Sequence, residues 1–177
     1  ISDAQMQRMF GAVRAFYDLP LSCKEALRMD RPEFPIGGVG YLPLHHRKLP
    51  TRSTGNVNEA FVVKQQSGAV QIALEDNPWP DEHVLPGFQT TVTAYAQRLE
   101  RLALRLLPLY ARALGVDPQF FDPAFTSPMV RLRMTKYPPT TNHPDTAFGI
   151  APHVDTSFMT ILAQDSEGLV IFSEQRQ

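Results

Sequence analysis

Apolar residues recur at three- and four-residue steps at Met6, Met9, Phe10, Val13 and Phe16, the spacing of one helix face. Ser2 with Gln5 three positions on forms a capping box at its entrance, and Asp18-Leu19-Pro20 ends it. Ser22 with Glu25 repeats the box and predicts a second, short helix to about Met29. From Arg31 to Val57 the pattern lapses among Pro32, Pro35, Gly37, Gly38, Gly40, Pro43 and Pro50, which reads as a long loop. Ala60-Phe61-Val62-Val63 is a short apolar run of strand character, followed by a second proline-rich loop through Pro78-Trp79-Pro80 and Pro86-Gly87. The longest regular stripe is Phe88, Val92, Tyr95, Leu99, Leu102, Leu106, Leu109 and Leu114, a helix stopped by Gly115 and expected to pack on a sheet. Pro108 should kink or split it, and Asp117-Pro118 opens a further short turn.

After Ser127 the period falls to two. Val130, Leu132 and Met134 alternate with Arg131, Arg133, Thr135 and Tyr137, a strand with one apolar and one polar face that Pro138-Pro139 closes. The apolar set should face the helical layer, and Arg133, Thr135 and Tyr137 an interior cavity. A second strand-like run covers His153 to Ala163. Helices and loops therefore come first and strands last.

Composition narrows the classes. With 17 basic and 18 acidic side chains the net charge is −1, which gives no electrostatic case for nucleic acid or an anionic membrane. Hydrophobic residues at 43% can build a core, yet no apolar run approaches the ~18 residues of a membrane span. The first residues also lack the basic and apolar regions of a signal peptide. A single cysteine, Cys23, has no internal partner, which favours a reducing cytoplasmic setting. Sixteen prolines are an excess that fits the long loops.

The candidate chemistry is His153-Val154-Asp155. Two residues apart on a strand, the imidazole and carboxylate share a face and could hold a first-row divalent ion. The bare triplet is a weak signal, since a surface His and Asp satisfy it equally well. Its context is more specific. The strand RLRMTKYPP puts Tyr137 before two prolines, and HVDTSFMTILAQD runs from His153 to Asp165, with Glu167-Gly168-Leu169 after it. Together with FYDLPLSCKEAL upstream and the long helix, this resembles the Fe(II)- and 2-oxoglutarate-dependent dioxygenases, in their isopenicillin N synthase-like branch.

The resemblance implies an α+β fold: a double-stranded β-helix (jelly-roll, cupin-like) core with a helical, loop-rich N-terminal region and a long packing helix. Residues 1–177 would be a single, incomplete oxygenase domain, with 1–126 the N-terminal region and 127–177 the first part of the core. It implies that His153 and Asp155 are two ligands of a two-His-one-carboxylate triad that leaves iron positions open for cosubstrate and dioxygen. Tyr137 matches the tyrosine that holds the far carboxylate of 2-oxoglutarate. Thr135 stands where many relatives have asparagine, and Arg133 could meet an anionic substrate group or serve in a structural ion pair. The implied reaction oxidises, usually hydroxylates, a small organic substrate with dioxygen and converts 2-oxoglutarate to succinate and carbon dioxide.

One departure matters. No histidine follows Asp155 to serve as the family's third ligand, and the arginine and serine that grip 2-oxoglutarate are also missing. His45, His46, His83 and His143 precede the motif in loop-like sequence and read as surface residues. The expectation is an interior portion of a larger enzyme. Two alternatives stay open: an iron oxidase of the same fold that uses no 2-oxoglutarate, and a non-catalytic jelly-roll binding protein. Tyr41 and Leu44, in the Arg31–Val57 loop, are candidates for a substrate-pocket wall.

Overall fold

The computed structural model describes residues 1–29, 31–44, 56–66, 71–139 and 149–171. Helix α1 spans Asp3–Tyr17, and the capping box at Ser2 and Gln5 forms with both of its hydrogen bonds. Helix α2 is only Leu21–Glu25. The second capping box does not form: Pro20 takes the cap position, and its carbonyl accepts from the Cys23 and Lys24 amides. The Glu25 carboxylate pairs instead with Arg28. The helix stops short of Met29 because the backbone there is claimed by a strand. Tyr41 donates its amide to the Leu27 carbonyl at 2.7 Å, and Met29 donates to Tyr41 at 2.9 Å.

That strand, β1 (Gly40–Leu42), lies inside the stretch expected to be loop. Gly40 permits it: φ is +105°, and a Cβ there would stand 2.4 Å from the Leu27 carbonyl oxygen. β1 pairs antiparallel with β2 (Glu59–Gln66), which pairs antiparallel with β3 (Met129–Lys136), in the order β1-β2-β3. The register sets Phe61 opposite Met134 and Ala60 opposite Thr135.

The sheet has two unlike faces, as period-two alternation requires. On one, Phe61, Val63, Tyr41 and Met134 join Met9, Phe16, Tyr17, Phe88 and Val92 in the main core, with Leu132 packed at its margin. Phe16 is its centre, its ring 4.6 Å from that of Phe61 and 5.3 Å from that of Phe88. The other face carries Leu42, Ala60 and Val62, backed by Met29. Tyr41 is therefore core, 2% exposed, and cannot line a substrate pocket; Leu44 is exposed. A charged group is drawn into the core as well: Lys24 reaches Glu59 at 3.2 Å, and the Tyr41 hydroxyl donates to the same carboxylate at 2.7 Å. Burial, with the Glu59 carboxylate second, pushes the hydroxyls of Tyr17 and Tyr41 above the usual phenol range.

Helix α3 (Phe88–Ala113) runs unbroken through Pro108 and packs against α1 and along β3. Its buried residues are Phe88, Val92, Ala96, Leu107 and Ala111. Leu99, Leu102 and Leu106 are only partly covered, and Leu109 and Leu114 are exposed. The stripe is thus core in its first half, where α1 covers it, and not throughout as its periodicity implied. After turns at 118–121, a 3₁₀ segment spans Asp122–Phe125. No described helix is long and apolar enough to cross a membrane.

Candidate functional site

β3 keeps the predicted alternation of faces, but of its apolar set only Met134 is buried, with Leu132 partly buried at the core margin and Val130 partly buried outside it. Met134 is buried in the main core, while Arg133 and Thr135 belong to the opposite face, opposed across the ladder by Val62 and Ala60. The Arg133 Nε donates to Thr135 Oγ1 at 3.2 Å, and its Nη2 donates to Asn58 Oδ1 at 3.1 Å. Tyr137 lies one residue past the strand and is half exposed. Burial raises its pKa, the nearby Arg133 charge opposing, so the phenol is a neutral donor at ordinary pH.

His153 and Asp155 do converge, though not on a strand. Residues 151–171 take no regular secondary structure, and the described sheet ends at β3. Alternating residues alone do not make a strand; a hydrogen-bonded neighbour is required, and none is present among the described residues. What brings the pair together is local. His153 Nδ1 lies 2.8 Å from the Ala151 carbonyl, which can only accept, so Nδ1 carries the proton. Its Nε2 then faces Asp155 Oδ1 at 3.3 Å. The other carboxylate oxygen, Oδ2, accepts from Thr160 Oγ1 at 2.6 Å. Both side chains are about half exposed, at 50% and 54%, and so are open to a ligand.

This donor set suits a divalent cation. Two ligands at ~2.0–2.2 Å from an ion, at right angles, stand about 3 Å apart. A bare Nε2 lone pair facing a carboxylate is electrostatically unfavourable, and a shared cation or a proton relieves it. The pair supplies two ligands, and the described residues hold no group of three or more His, Cys, Asp or Glu side chains placed for a metal. His83 is exposed, as expected; His45, His46 and His143 lie outside the described residues.

The segment bearing the pair is tied down at both ends. Asn58 donates to the Gly149 carbonyl at 2.6 Å, and Asn56 accepts from the Ala151 amide at 3.1 Å. Gly149 also packs against Tyr137, where a Cβ would meet the ring at 2.7 Å. Beyond Asp155, Phe158 sits against Tyr110, Phe121 and Phe125 with ring centroids 4.9–5.6 Å away. Nothing in the residue pattern singled out Asn56, Asn58, Gly149 or Thr160. Their partners lie in other segments or in irregular backbone, where no periodicity marks them.

No family model matches the chain. It is 29% identical to the 2-oxoglutarate-dependent dioxygenase ecdK of Aspergillus rugulosus, over 94% of this chain and 54% of that protein. It is likewise 29% identical to the validamycin A dioxygenase of Streptomyces hygroscopicus subsp. limoneus, over 95% of this chain and 48% of that protein. Among solved structures, JOX2 in complex with 2OG, Fe and JA superposes over 88% of the chain and 43% of JOX2, with a TM-score of 0.66 and 18% identity. Over nearly its whole length the chain is similar to curated members of the Fe(II)- and 2-oxoglutarate-dependent dioxygenase superfamily. A solved 2OG-Fe(II) oxygenase family structure from Caulobacter crescentus shares the chain's fold over 75% of the chain and 43% of its own length, with a TM-score of 0.56 and 19% identity. The chain spans about half the length of the curated relatives it matches. Of the fold they share, the described residues show helices and a three-stranded antiparallel sheet, not a closed barrel.

Proposed function

We propose that the complete protein is a non-haem oxygenase that uses Fe(II), 2-oxoglutarate and dioxygen to hydroxylate a small organic substrate, with succinate and carbon dioxide as co-products. The observation that carries this reading is the His153–Asp155 pair, with Nε2 and Oδ1 3.3 Å apart and Nδ1 committed to the Ala151 carbonyl. In this reading His153 and Asp155 are two metal ligands, and a third comes from the part of the relatives' length that this chain does not cover. When bound, the iron and 2-oxoglutarate supply dioxygen activation and oxidative decarboxylation.

The chain's own residues orient and bind. The Ala151 carbonyl fixes the His153 tautomer, and Thr160 turns one oxygen of Asp155 toward the imidazole. Tyr137, protonated and hence a donor, and Thr135 are the candidates for the far carboxylate of 2-oxoglutarate. Arg133, on the same strand face, is the candidate for an anionic group of the substrate. The names of the relatives, validamycin A among them, support a small organic substrate over a macromolecule. The sheet is then the opening part of a jelly-roll, and residues 1–177 lie within one oxygenase domain. A reducing, cytoplasmic setting accords with the lone thiol of Cys23.

Asp155→Ala in the complete protein tests the reading. It should abolish iron-dependent formation of succinate from 2-oxoglutarate and leave the circular dichroism spectrum unchanged, because the carboxylate is half exposed and contributes nothing to the core. Undiminished iron binding and succinate production would show that the pair is only two polar surface residues.

A further inference from the structure

We infer that Asn56 and Asn58 are positioning residues that clamp the 149–151 backbone and thereby set the direction of the His153 imidazole. The inference rests on the metal-site reading above and extends it to two side chains nearly a hundred residues upstream. Asn58 is wholly buried, yet both ends of its amide are used. Its Oδ1 accepts from Arg133, which can only donate, and its Nδ2 donates to the Gly149 carbonyl, which can only accept. The amide therefore has one satisfied orientation. Asn56, two residues earlier, accepts the Ala151 amide proton through Oδ1.

Two residues of the loop are thus fixed by hydrogen bonds from the entrance of β2. The second of them, Ala151, presents its carbonyl to His153 Nδ1 at 2.8 Å. The path from sheet to imidazole runs Asn56 to Ala151 to His153, with Asn58 and Arg133 bracing Gly149. A segment without ladder partners would otherwise leave the imidazole to rotate, and metal affinity depends on ligands held in place by such outer contacts. Asn58 and Glu59 divide the labour. Asn58 works toward the site, and Glu59, the next residue, pairs with Lys24 in the core layer.

The two asparagines make different demands, and that gives the test. Asn56 uses only its acceptor in this clamp, so Asn56→Asp keeps the bond and Asn56→Ala loses it. Asn58 uses donor and acceptor, so Asn58→Asp keeps Arg133 but sets an oxygen against the Gly149 carbonyl. The complete protein is titrated with Co(II), a redox-stable stand-in for iron, and hydrogen exchange is followed over residues 149–155. Asn56→Ala and Asn58→Asp should weaken Co(II) binding ~10–100-fold and speed exchange at Ala151, while Asn56→Asp stays close to wild type in both. Melting temperature is recorded alongside, and Asn56→Ala should leave it unchanged, which a merely structural role would not. Should Asn58→Asp fail to fold, the Asn56 pair of variants carries the test alone. Wild-type affinity in Asn56→Ala, or an Asn56→Asp variant as weak as Asn56→Ala, overturns the clamp. If His153→Ala binds Co(II) as well as wild type, the metal reading fails on its own account. The clamp then stands or falls on whether exchange at Ala151 quickens in Asn56→Ala and not in Asn56→Asp.

Discussion

Replacing Glu59 with leucine should unfold the protein more readily than any loss of packing at that position explains. Lys24 and Glu59 side chains are each 9% exposed, and their ion pair at 3.2 Å lies beneath the sheet. Without the carboxylate, the Lys24 ammonium keeps the Tyr17 carbonyl at 3.0 Å and the faces of Tyr17 and Tyr41 at 5.7 and 5.6 Å. These are partial compensations for a buried charge, and breaking such a pair costs ~3–5 kcal/mol. The Tyr41 hydroxyl also loses its acceptor, worth a further ~1–3 kcal/mol. Lys136, 3.8 Å from Glu59 but 44% exposed, contributes at most ~1 kcal/mol. Lys24→Met should cost less, about 3 kcal/mol, because Glu59 retains Tyr41 and Lys136. Combining the two removes the stranded charge, so the double variant should be more stable than Glu59→Leu alone, short of wild type by about the Tyr41 hydroxyl term. Urea denaturation of all four proteins, with equal slopes, reads these differences. A double variant as unstable as the sum of the singles would refute the argument, since the two side chains would then act independently.

Phe16→Ala, at a residue with no exposure and with the rings of Tyr17, Tyr41, Phe61 and Phe88 around it, should cost ~3–5 kcal/mol in the same assay. Leu102→Ala, only partly covered, should cost less than ~2 kcal/mol; equal losses would mean that Leu102 is buried after all. Stability should be insensitive to pH below about 10 on account of Tyr17 and Tyr41 and should fall above it. Their folded-state pKa values are raised, so above pH ~10 the unfolded chain ionises while the folded one stays protonated. Tyr41→Phe should flatten that alkaline decline in thermal melts, and an unchanged decline would remove Tyr41 from the account.

The sequence was most informative where local physics decides structure. The Ser2–Gln5 box, the α3 stripe as far as Tyr95, and the alternating faces of β3 depend on neighbours a few residues away. Strand β1 escaped notice because Gly40 weakens strand propensity and its pairing partners, Ala60 to Val62, lie beyond a long proline-rich stretch. The opposite error occurred at 153–163, where side-chain type suggested a strand and the backbone found no ladder. His153 and Asp155 were legible as a pair because two residues of separation is short in any extended backbone. Asn56 and Asn58 were not, because they hold partners 95 and 91 residues away in the chain.

The Tyr17 hydroxyl donates to the Met134 carbonyl at 2.7 Å, across a separation of 117 residues. The last residue of the first helix is therefore bonded to the last strand of the sheet. As the chain emerges during synthesis, α1 comes first, Phe16 finds its seat on Phe61 and Phe88 once β2 and α3 have followed, and Tyr17 waits for its Met134 acceptor until β3. An isolated helix of 15 residues is marginal in water, so α1 must fray and reform until these later elements cover it. A long-range closure of this kind makes folding slow relative to helix formation. The newborn chain is accordingly an aggregation risk and a target for chaperone capture up to the moment at which β3 docks.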